Sequence, residues 1–267
     1  MDHDLLIRAV RAHTDQPWVV LYVKRWLSAP LQRPDGGLVD RDRGTPQGSA
    51  VSPVLANLFL HYAFDAWTAR EHPGVAFERY VDDVVVHCVT ERQARELRVA
   101  IGDRLGSVGL QLHPDKTQIV YCQDARRRGS YERTAFTFLG FTFRPRAARS
   151  RHGVVFTGFG PAISKDALTR ISREVRRWRV HRKTGLTLGD LTRWINPIVR
   201  GWMQYYGAFN RSVLHPLLRR INAYLVRWLQ NKYKRLRGAK SAQAGWGRLT
   251  TGWPGLFAHW QWTRAYW

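Results

Sequence analysis

The stretch FERYVDDVVVHC, residues 77–88, decides how this chain can fold. Two adjacent carboxylates, Asp82 and Asp83, stand between apolar residues: Val81 precedes them, and residues 84–86 are all valine. Because β-branched residues favour a pleated, half-buried surface, the stretch predicts a β-hairpin with the acids at its turn. Asp is also common in ordinary polar turns, so on these residues alone both interpretations stay open.

Ionised carboxylates in an apolar hairpin need a partner, because removing a charge from water is costly unless something pairs with it. A hard divalent cation is the usual partner of clustered carboxylates. Mg²⁺ typically takes one or two of them together with substrate phosphates. The pair formed by Asp82 and Asp83 therefore predicts a candidate magnesium site.

The positive charge of the chain is large and unevenly distributed. The 267 residues carry a formal net charge of +23. Residues 151–267 hold 22 of the 43 Lys and Arg, three of the 20 Asp and Glu, and nine of the twelve Trp. A basic surface interleaved with aromatic side chains suits a phosphate backbone with stacking bases. A proteome biased towards Arg would explain the preference for Arg over Lys, but it explains less well why acids are so few in one half. The second half therefore predicts nucleic-acid binding.

Composition disfavours several other classes of protein. A hydrophobic content of 44% argues against disorder. Cys88 and Cys122 form no CxxC pair, which predicts a reduced compartment without a disulfide framework. No signal peptide and no apolar run of transmembrane length is evident, so we expect a cytoplasmic protein without a membrane partner. Basic amphipathic helices also suit a membrane surface, but a helical core needs their apolar faces.

The spacing of apolar residues predicts a mixture of helices and strands. We expect two helices within residues 2–27, with a break near Pro17, and a loop or hairpin over 145–161. Further helices are predicted over 53–70, 91–108, 163–183, 187–206 and 213–237, and strands over 118–122 and 135–144. Thr187 and Asp190 fit a capping box at the start of one of these helices.

Four blocks in chain order resemble the palm of a reverse transcriptase. They are GTPQGSAVSPVLANLFL at 44–60, RYVDD at 79–83, HPDKTQIVYC at 113–122 and FTFLGFTF at 136–143. Further on, INPIVRGW at 195–202, followed by Tyr205 and Tyr206, and PGLFAHW at 254–260 resemble the thumb, or domain X, of group II intron maturases. The chain as a whole thus most resembles the reverse transcriptase/maturases of group II introns, rather than retron or CRISPR-associated enzymes.

This resemblance implies an α+β fold with two domains. Residues 1–150 would form a partial right-hand polymerase palm, an antiparallel sheet with helices on one face. Residues 151–267 would form a three-helix thumb, or maturase domain X, with a basic C-terminal tail. The implied partners are group II intron RNA, an RNA template with a DNA or RNA primer, and dNTPs. Two Mg²⁺ ions would support attack of the primer 3′-hydroxyl on the α-phosphate.

The resemblance also assigns residues to a site. Asp82 and Asp83 match the catalytic, metal-binding pair, and Lys116 matches a catalytic lysine that faces the nucleotide phosphates. Nucleotide and template contacts are assigned to Pro46, Gln47, Gly48 and Tyr80, and the primer grip to Leu139 and Gly140. The residues expected to bind RNA are Arg176, Arg177, Arg179, Arg200, Lys232, Lys234 and Arg235.

One block of the family pattern is missing. Family members carry a further metal-binding Asp, and the fingers, ahead of the segment that reads DHDLL at residues 2–6. We therefore expect an incomplete two-metal site and no polymerase activity from this chain by itself, with a separate chain as one possible source of the fingers. A truncation, a split element and a decayed element stay open. The alternative function is a non-catalytic RNA-binding maturase or splicing factor, which needs no Asp pair.

Overall fold

The computed structural model describes residues 1–46, 48–127 and 129–263. The chain divides into two compact units, Met1–Ile119 and Val120–Trp267. This division lies ahead of residue 150, because the strands after residue 135 share a core with the later helices: Phe141 belongs to the same buried cluster as Ile195 and Leu218. As a boundary between functional domains, the division at residue 150 stays a prediction.

The first unit combines helices with two short hairpins. Its helices are α1 (His3–Arg11), α2 (Pro17–Ser28), α3 (Ser52–Leu60), α4 (Ala66–Glu71) and α5 (Glu91–Gly106), and its strands are β1 (Leu31–Gln32), β2 (Leu38–Val39), β3 (Phe77–Tyr80) and β4 (Asp83–Val86). The predicted break near Pro17 is confirmed, since this proline opens α2. A π-helical turn, His61–Asp65, interrupts the predicted helix over 53–70. Leu6, Leu27 and Phe59 belong to the buried core.

The second unit packs a three-stranded sheet with helices. Its elements are β5 (Phe136–Phe138), β6 (Phe141–Arg149), β7 (Val155–Ile163), α6 (Lys165–Arg177), α7 (Leu188–Tyr206), α8 (His215–Lys232), α9 (Ala239–Gly252) and α10 (Trp260–Thr263). The capping box is confirmed: Thr187 Oγ1 accepts the Asp190 N–H, and the Asp190 carboxylate accepts the Thr187 N–H. The Asp190 carboxylate accepts hydrogen bonds first from the Thr187 N–H, then from the Thr187 hydroxyl and from Arg193, and these lower the pKa of Asp190 to about 2.

Several predicted elements were wrong in extent. Residues 118–122 form no strand, and the Tyr121 N–H bonds only the Arg133 carbonyl of a neighbouring loop. The helix predicted to end at 183 ends at Arg177, and Arg179 then takes a left-handed φ of 47°. The helix predicted to reach 237 ends at Lys232, and α9 was not predicted at all. The segment over 145–161 does form a hairpin, as β6 and β7.

The prediction of an α+β fold is confirmed, but the strands do not form one sheet. They form three antiparallel sheets, β1–β2, β3–β4 and β5–β6–β7. The missing strand over 118–122 lies in sequence between the last two, so no described strand joins them there. Among the described residues, no helix combines the length and apolarity that crossing a membrane requires.

Candidate functional site

The two carboxylates lie at the tip of the hairpin formed by β3 and β4. Tyr80 pairs with Asp83 across the strands, which leaves Val81 and Asp82 as a two-residue loop. Because direct cross-strand partners point to the same face, Tyr80 and Asp83 project together. Both acids are exposed, and the Tyr80 side chain is 59% exposed beside them. The sequence therefore placed this pair correctly at a hairpin turn.

The loop holds Val81 in an unfavourable backbone conformation. Two-residue hairpin loops place their first residue at positive φ, where glycine or asparagine is usual. Val81 occupies that position with φ 58°. A β-branched residue there is a genuine outlier, because its side chain crowds the backbone. Such strain persists only where neighbouring contacts fix the conformation.

The side chain of Arg79 supplies contacts of that kind. Its Nε and Nη2 donate to the Asp65 carboxylate at 2.6 and 2.5 Å. Its Nη1 donates to Asn57 Oδ1 at 2.8 Å and to the Val81 carbonyl at 2.9 Å. The hydrogen bonds to Asp65 raise the pKa of Arg79, whereas its partial burial acts in the opposite direction. One guanidinium thus ties the turn to α3 and to the π-helical turn.

The donor atoms at the hairpin tip suit a hard cation. Asp82 and Asp83 are exposed, and neither takes part in an ion pair within the described part of the chain. Mg²⁺ prefers oxygen ligands and often combines one or two carboxylates with phosphate oxygens. No group of three His, Cys, Asp or Glu suited to a metal occurs among the described residues. The pair therefore fits a cation shared with a bound phosphate.

Pro46 and Gly48, two of the residues assigned to nucleotide and template, lie on a loop beside α3. The Ser52 hydroxyl donates to the Pro46 carbonyl at 2.5 Å, and Gly48 has a φ of 81° that favours glycine. Gln47 lies outside the described residues. Lys116 is exposed on a separate turn of the same unit, closed by the Thr117 N–H on the His113 carbonyl. Its role at a nucleotide stays a prediction.

The residues assigned to the primer grip form the loop between β5 and β6. Leu139 and Gly140 both have positive φ, 49° and 78°, as a two-residue loop of type I′ requires. The Tyr205 hydroxyl donates to the Leu139 carbonyl at 2.8 Å. A Cβ added to Gly140 would lie 3.1 Å from the Tyr206 hydroxyl. This loop is therefore seated closely on α7.

The second unit carries a basic groove of about 380 Å³ between α6 and α8. Its lining residues are Lys165, Leu168, Thr169, Ser172, Arg173, Arg176 and Arg220. The four cations among them enter no ion pair with any described residue. The α6 cations lie within the 12 residues from Lys165 to Arg176, or roughly 16 Å of helix. Unpaired cations beside hydroxyl groups suit the phosphates of a nucleic-acid backbone.

The seven residues predicted to bind RNA are not equally available for that purpose. Arg176 lines the groove, and Arg200 is exposed on α7. Arg177 lies 3.8 Å from Glu174, and the Lys232 ammonium donates to the carbonyls of residues 184 and 186 at 2.7 Å each. The remaining three, Arg179, Lys234 and Arg235, are exposed in irregular or 3₁₀ segments. None of these roles is tested by the geometry.

Sequence reasoning missed the contacts around the candidate sites. The sequence places Arg79 only in the RYVDD block, and it places Asn57 and Asp65 in an uninterrupted helix, so their hydrogen bonds to Arg79 are not predicted. Arg173 and Arg220 face one groove from two helices that are distant in sequence. The excess of Arg in the second half was the signal for the groove. No sequence signal marked the π-helical turn that carries Asp65.

Comparisons with known proteins identify the family of the chain. Residues 1–143 match the family model described as reverse transcriptase (RNA-dependent DNA polymerase). Residues 168–246 match the model of the group II intron maturase-specific domain. Protein YkfC of Escherichia coli strain K12 is 30% identical over 185 residues, which cover 57% of this chain and 45% of that protein. The chain thus spans less than half the length of this curated relative.

The acidic hairpin tip and the family match together define the class: the chain belongs to the reverse transcriptase family. The maturase-specific domain that follows narrows this further. The chain is a member of the group II intron reverse transcriptase/maturase type.

Proposed function

We propose that this chain supplies the palm chemistry and the RNA-binding thumb of a group II intron reverse transcriptase/maturase. It would bind intron RNA for splicing and copy RNA into DNA for mobility of the intron. Its substrates would be an RNA template, a DNA or RNA primer and dNTPs. The observation that carries this proposal is the exposed pair Asp82 and Asp83 on a braced hairpin within a chain that matches both family models.

In this proposal Asp82 and Asp83 hold Mg²⁺ against the phosphates of primer and nucleotide. The bound metal would lower the cost of charge on the attacking 3′-oxygen and on the departing pyrophosphate. Tyr80, on the same face as Asp83, would contact the nucleotide, and Lys116 would offset charge on the leaving phosphates. Pro46, Gln47 and Gly48 would line the template and nucleotide side. Leu139 and Gly140 would position the primer end.

The maturase function is assigned to residues 151–267, which we propose to be a thumb built on the helices α6, α7 and α8. The groove between α6 and α8 would take the phosphate backbone of the intron RNA or of the primer–template duplex. We also propose a cytoplasmic location, which the unpaired cysteines Cys88 and Cys122 support.

Replacing both carboxylates separates catalysis from RNA binding. The variant Asp82→Asn/Asp83→Asn keeps the size of the side chains but removes the charge that a divalent cation requires. We expect it to abolish primer extension by any complex that contains this chain, and to leave affinity for intron RNA within about twofold. Primer extension by the variant at the wild-type rate would overturn the metal site. An RNA-binding maturase without catalysis would instead show no primer extension from the wild-type chain in any complex.

We also propose that Asp82 and Asp83 by themselves do not complete the two-metal site, because Mg²⁺ requires more ligands than two carboxylates supply. The two acids described here would then bind Mg²⁺ in part, and a further Asp would complete the coordination. The measurement is primer extension by the chain by itself with Mg²⁺ and dNTPs. Extension through many nucleotides would contradict the prediction.

A further inference from the structure

The side chain of Arg79 joins three separate segments within the first unit. Its side chain is 11% exposed, and that of Asp65, with which it forms a two-pronged ion pair, is 21% exposed. It also bonds the Asn57 side chain and the backbone carbonyl of Val81. Nothing in the sequence resemblance or in the family comparisons assigns a role to this arginine.

The π-helical turn explains why these partners meet. Asn57 and Asp65 are eight residues apart, and in an uninterrupted α-helix they would lie about 80° apart around the axis. The wider π turn rotates less per residue, which brings both side chains towards one face. On the hairpin, strand alternation points Phe77 and Arg79 towards that face, and the Phe77 ring packs edge-on against Phe64 at 5.0 Å.

The contact with Val81 has a further consequence. The carbonyl that Arg79 holds belongs to the residue with φ 58°, the first residue of the loop that carries Asp82. Fixing this carbonyl fixes the peptide plane between Val81 and Asp82, and hence the directions in which both carboxylates leave the turn. A strained turn without such an anchor would relax towards a more favourable conformation.

We propose that Arg79 is a positioning residue: through the Val81 carbonyl it orients Asp82 and Asp83 for a divalent cation. The inference rests on the metal site of the proposed function, although Arg79 itself touches neither metal nor substrate. A purely structural role would make Arg79 stabilise the unit and leave the turn unaffected. The two roles differ in whether metal affinity changes in a protein that is still folded.

The test replaces Arg79 by lysine in the full chain. Lysine keeps the charge beside Asp65, but as a single point charge it cannot reach three acceptors in the fixed geometry of a guanidinium. Arg104→Lys is the matched control. Arg104 is also partly buried, and it also bonds the π-helical turn, at the Ala63 carbonyl, without a bond to the hairpin loop. Circular dichroism at low temperature ensures that both variants are folded.

The first readout is Mn²⁺ binding, followed by the paramagnetic resonance of the free ion. Mn²⁺ shares the preference of Mg²⁺ for oxygen ligands. The Mn²⁺ binding that is lost in the Asp82→Asn/Asp83→Asn variant is assigned to the Asp82 and Asp83 site. We expect Arg79→Lys to weaken the Mn²⁺ affinity of this site about tenfold, and Arg104→Lys to change it less than twofold. Equal effects of the two lysine variants, or none, would overturn the positioning role.

The second readout needs no metal. Amide hydrogen exchange at Asp83, which pairs with Tyr80 next to the loop, should be at least tenfold faster in Arg79→Lys than in the wild type, and unchanged in Arg104→Lys. Unchanged exchange in Arg79→Lys would refute the inference. If the wild type binds no more Mn²⁺ than the double Asn variant, the proposed metal site fails, and with it the orienting role, whereas the exchange data still decide whether Arg79 holds the turn.

Discussion

Individual residues carry much of what is unusual in this protein, and Val81 is the clearest case. A β-branched residue at φ 58° is retained at the tip of a hairpin where glycine would be unstrained. The Arg79 side chain holds the carbonyl of this residue. The local backbone is therefore more costly than the loop length requires, and it is maintained by Arg79, whose side chain is anchored outside the hairpin on Asp65 and Asn57.

Val81→Gly should stabilise the first unit. The left-handed conformation costs a non-glycine residue about 1–2 kcal/mol, and glycine loses roughly 0.5–1 kcal/mol through its freer unfolded state. We expect the free energy of unfolding in urea to rise by about 0.5 kcal/mol. Val85→Gly, in the strand of the same hairpin, is the control and should lower it. A loss of equal size for both variants would show that Val81 is not strained.

His259 should make stability depend on pH. It is fully buried, its Nε2 bonds Asn222 Oδ1 at 2.7 Å, its Nδ1 has no partner, and burial lowers its pKa to about 3. Between about pH 6.5 and 3 the unfolded chain binds a proton that the folded chain does not. The free energy of unfolding should therefore be highest above pH 6.5 and fall by up to about 1.4 kcal/mol per pH unit below it.

The variant His259→Gln keeps a hydrogen-bond donor near Asn222 and removes the titration. Chemical denaturation of both proteins between pH 7 and 4 isolates the histidine, because the carboxylates contribute equally to each. The wild type should lose stability more steeply than the variant. Parallel curves would mean that His259 becomes protonated without unfolding.

At the scale of elements, the loop between β5 and β6 depends on α7. Leu139 and Gly140 occupy a turn that needs positive φ at both positions, and two tyrosines of α7 contact it. The Gly140 carbonyl also accepts the N–H of Ser164, the N-cap of α6, at 2.8 Å. Gly140 therefore allows the turn, accepts a hydrogen bond at the start of α6 and lies close to α7.

Gly140→Ala should lower the free energy of unfolding of the second unit by about 1–2 kcal/mol. The new Cβ would be strained at φ 78° and would press on the Tyr206 hydroxyl. Gly160→Ala in β7 is the control, since nothing lies within 4 Å of its Cβ position and its φ is ordinary. Thermal unfolding of both variants gives the comparison. Equal midpoints would contradict a close fit between the loop and α7.

At the scale of the whole molecule, the excess of positive charge lies in the second half of the chain. Three acids remain among the 117 residues after position 150, and two of them, Glu174 and Asp190, pair with Arg177 and Arg193. The groove between α6 and α8 contains cations that no described acid neutralises. The electrostatic attraction for a polyanion is therefore concentrated where the helices leave cations unpaired.

Arg173→Gln/Arg220→Gln should reduce the salt dependence of RNA binding. Each lost phosphate contact lowers the slope of log K against log salt by roughly 0.7–0.9. The matched control is Arg92→Gln/Arg95→Gln, which removes the same charge from two arginines of α5 that are paired with Glu96 and Glu91. Fluorescence anisotropy with a labelled intron fragment at several salt concentrations measures both. Equal slopes for the two variants would place RNA binding outside the groove.

The sequence by itself determined the class of this protein, the acidic hairpin, the capping box of α7 and the break before α2. These features depend on neighbouring residues, whose preferences act locally whatever surrounds them. It also located the excess of positive charge, because the numbers of basic and acidic residues follow from the sequence and do not depend on the fold.

Only the tertiary structure decided which residues brace the acids and where cations stay unpaired. Arg79 meets Asn57 and Asp65 across a π-helical turn, and Arg173 faces Arg220 across two helices. Such contacts join positions far apart in the chain, so no local preference specifies them. The division into three small sheets and the early end of α8 have the same origin, because packing overrides weak propensities at the ends of elements.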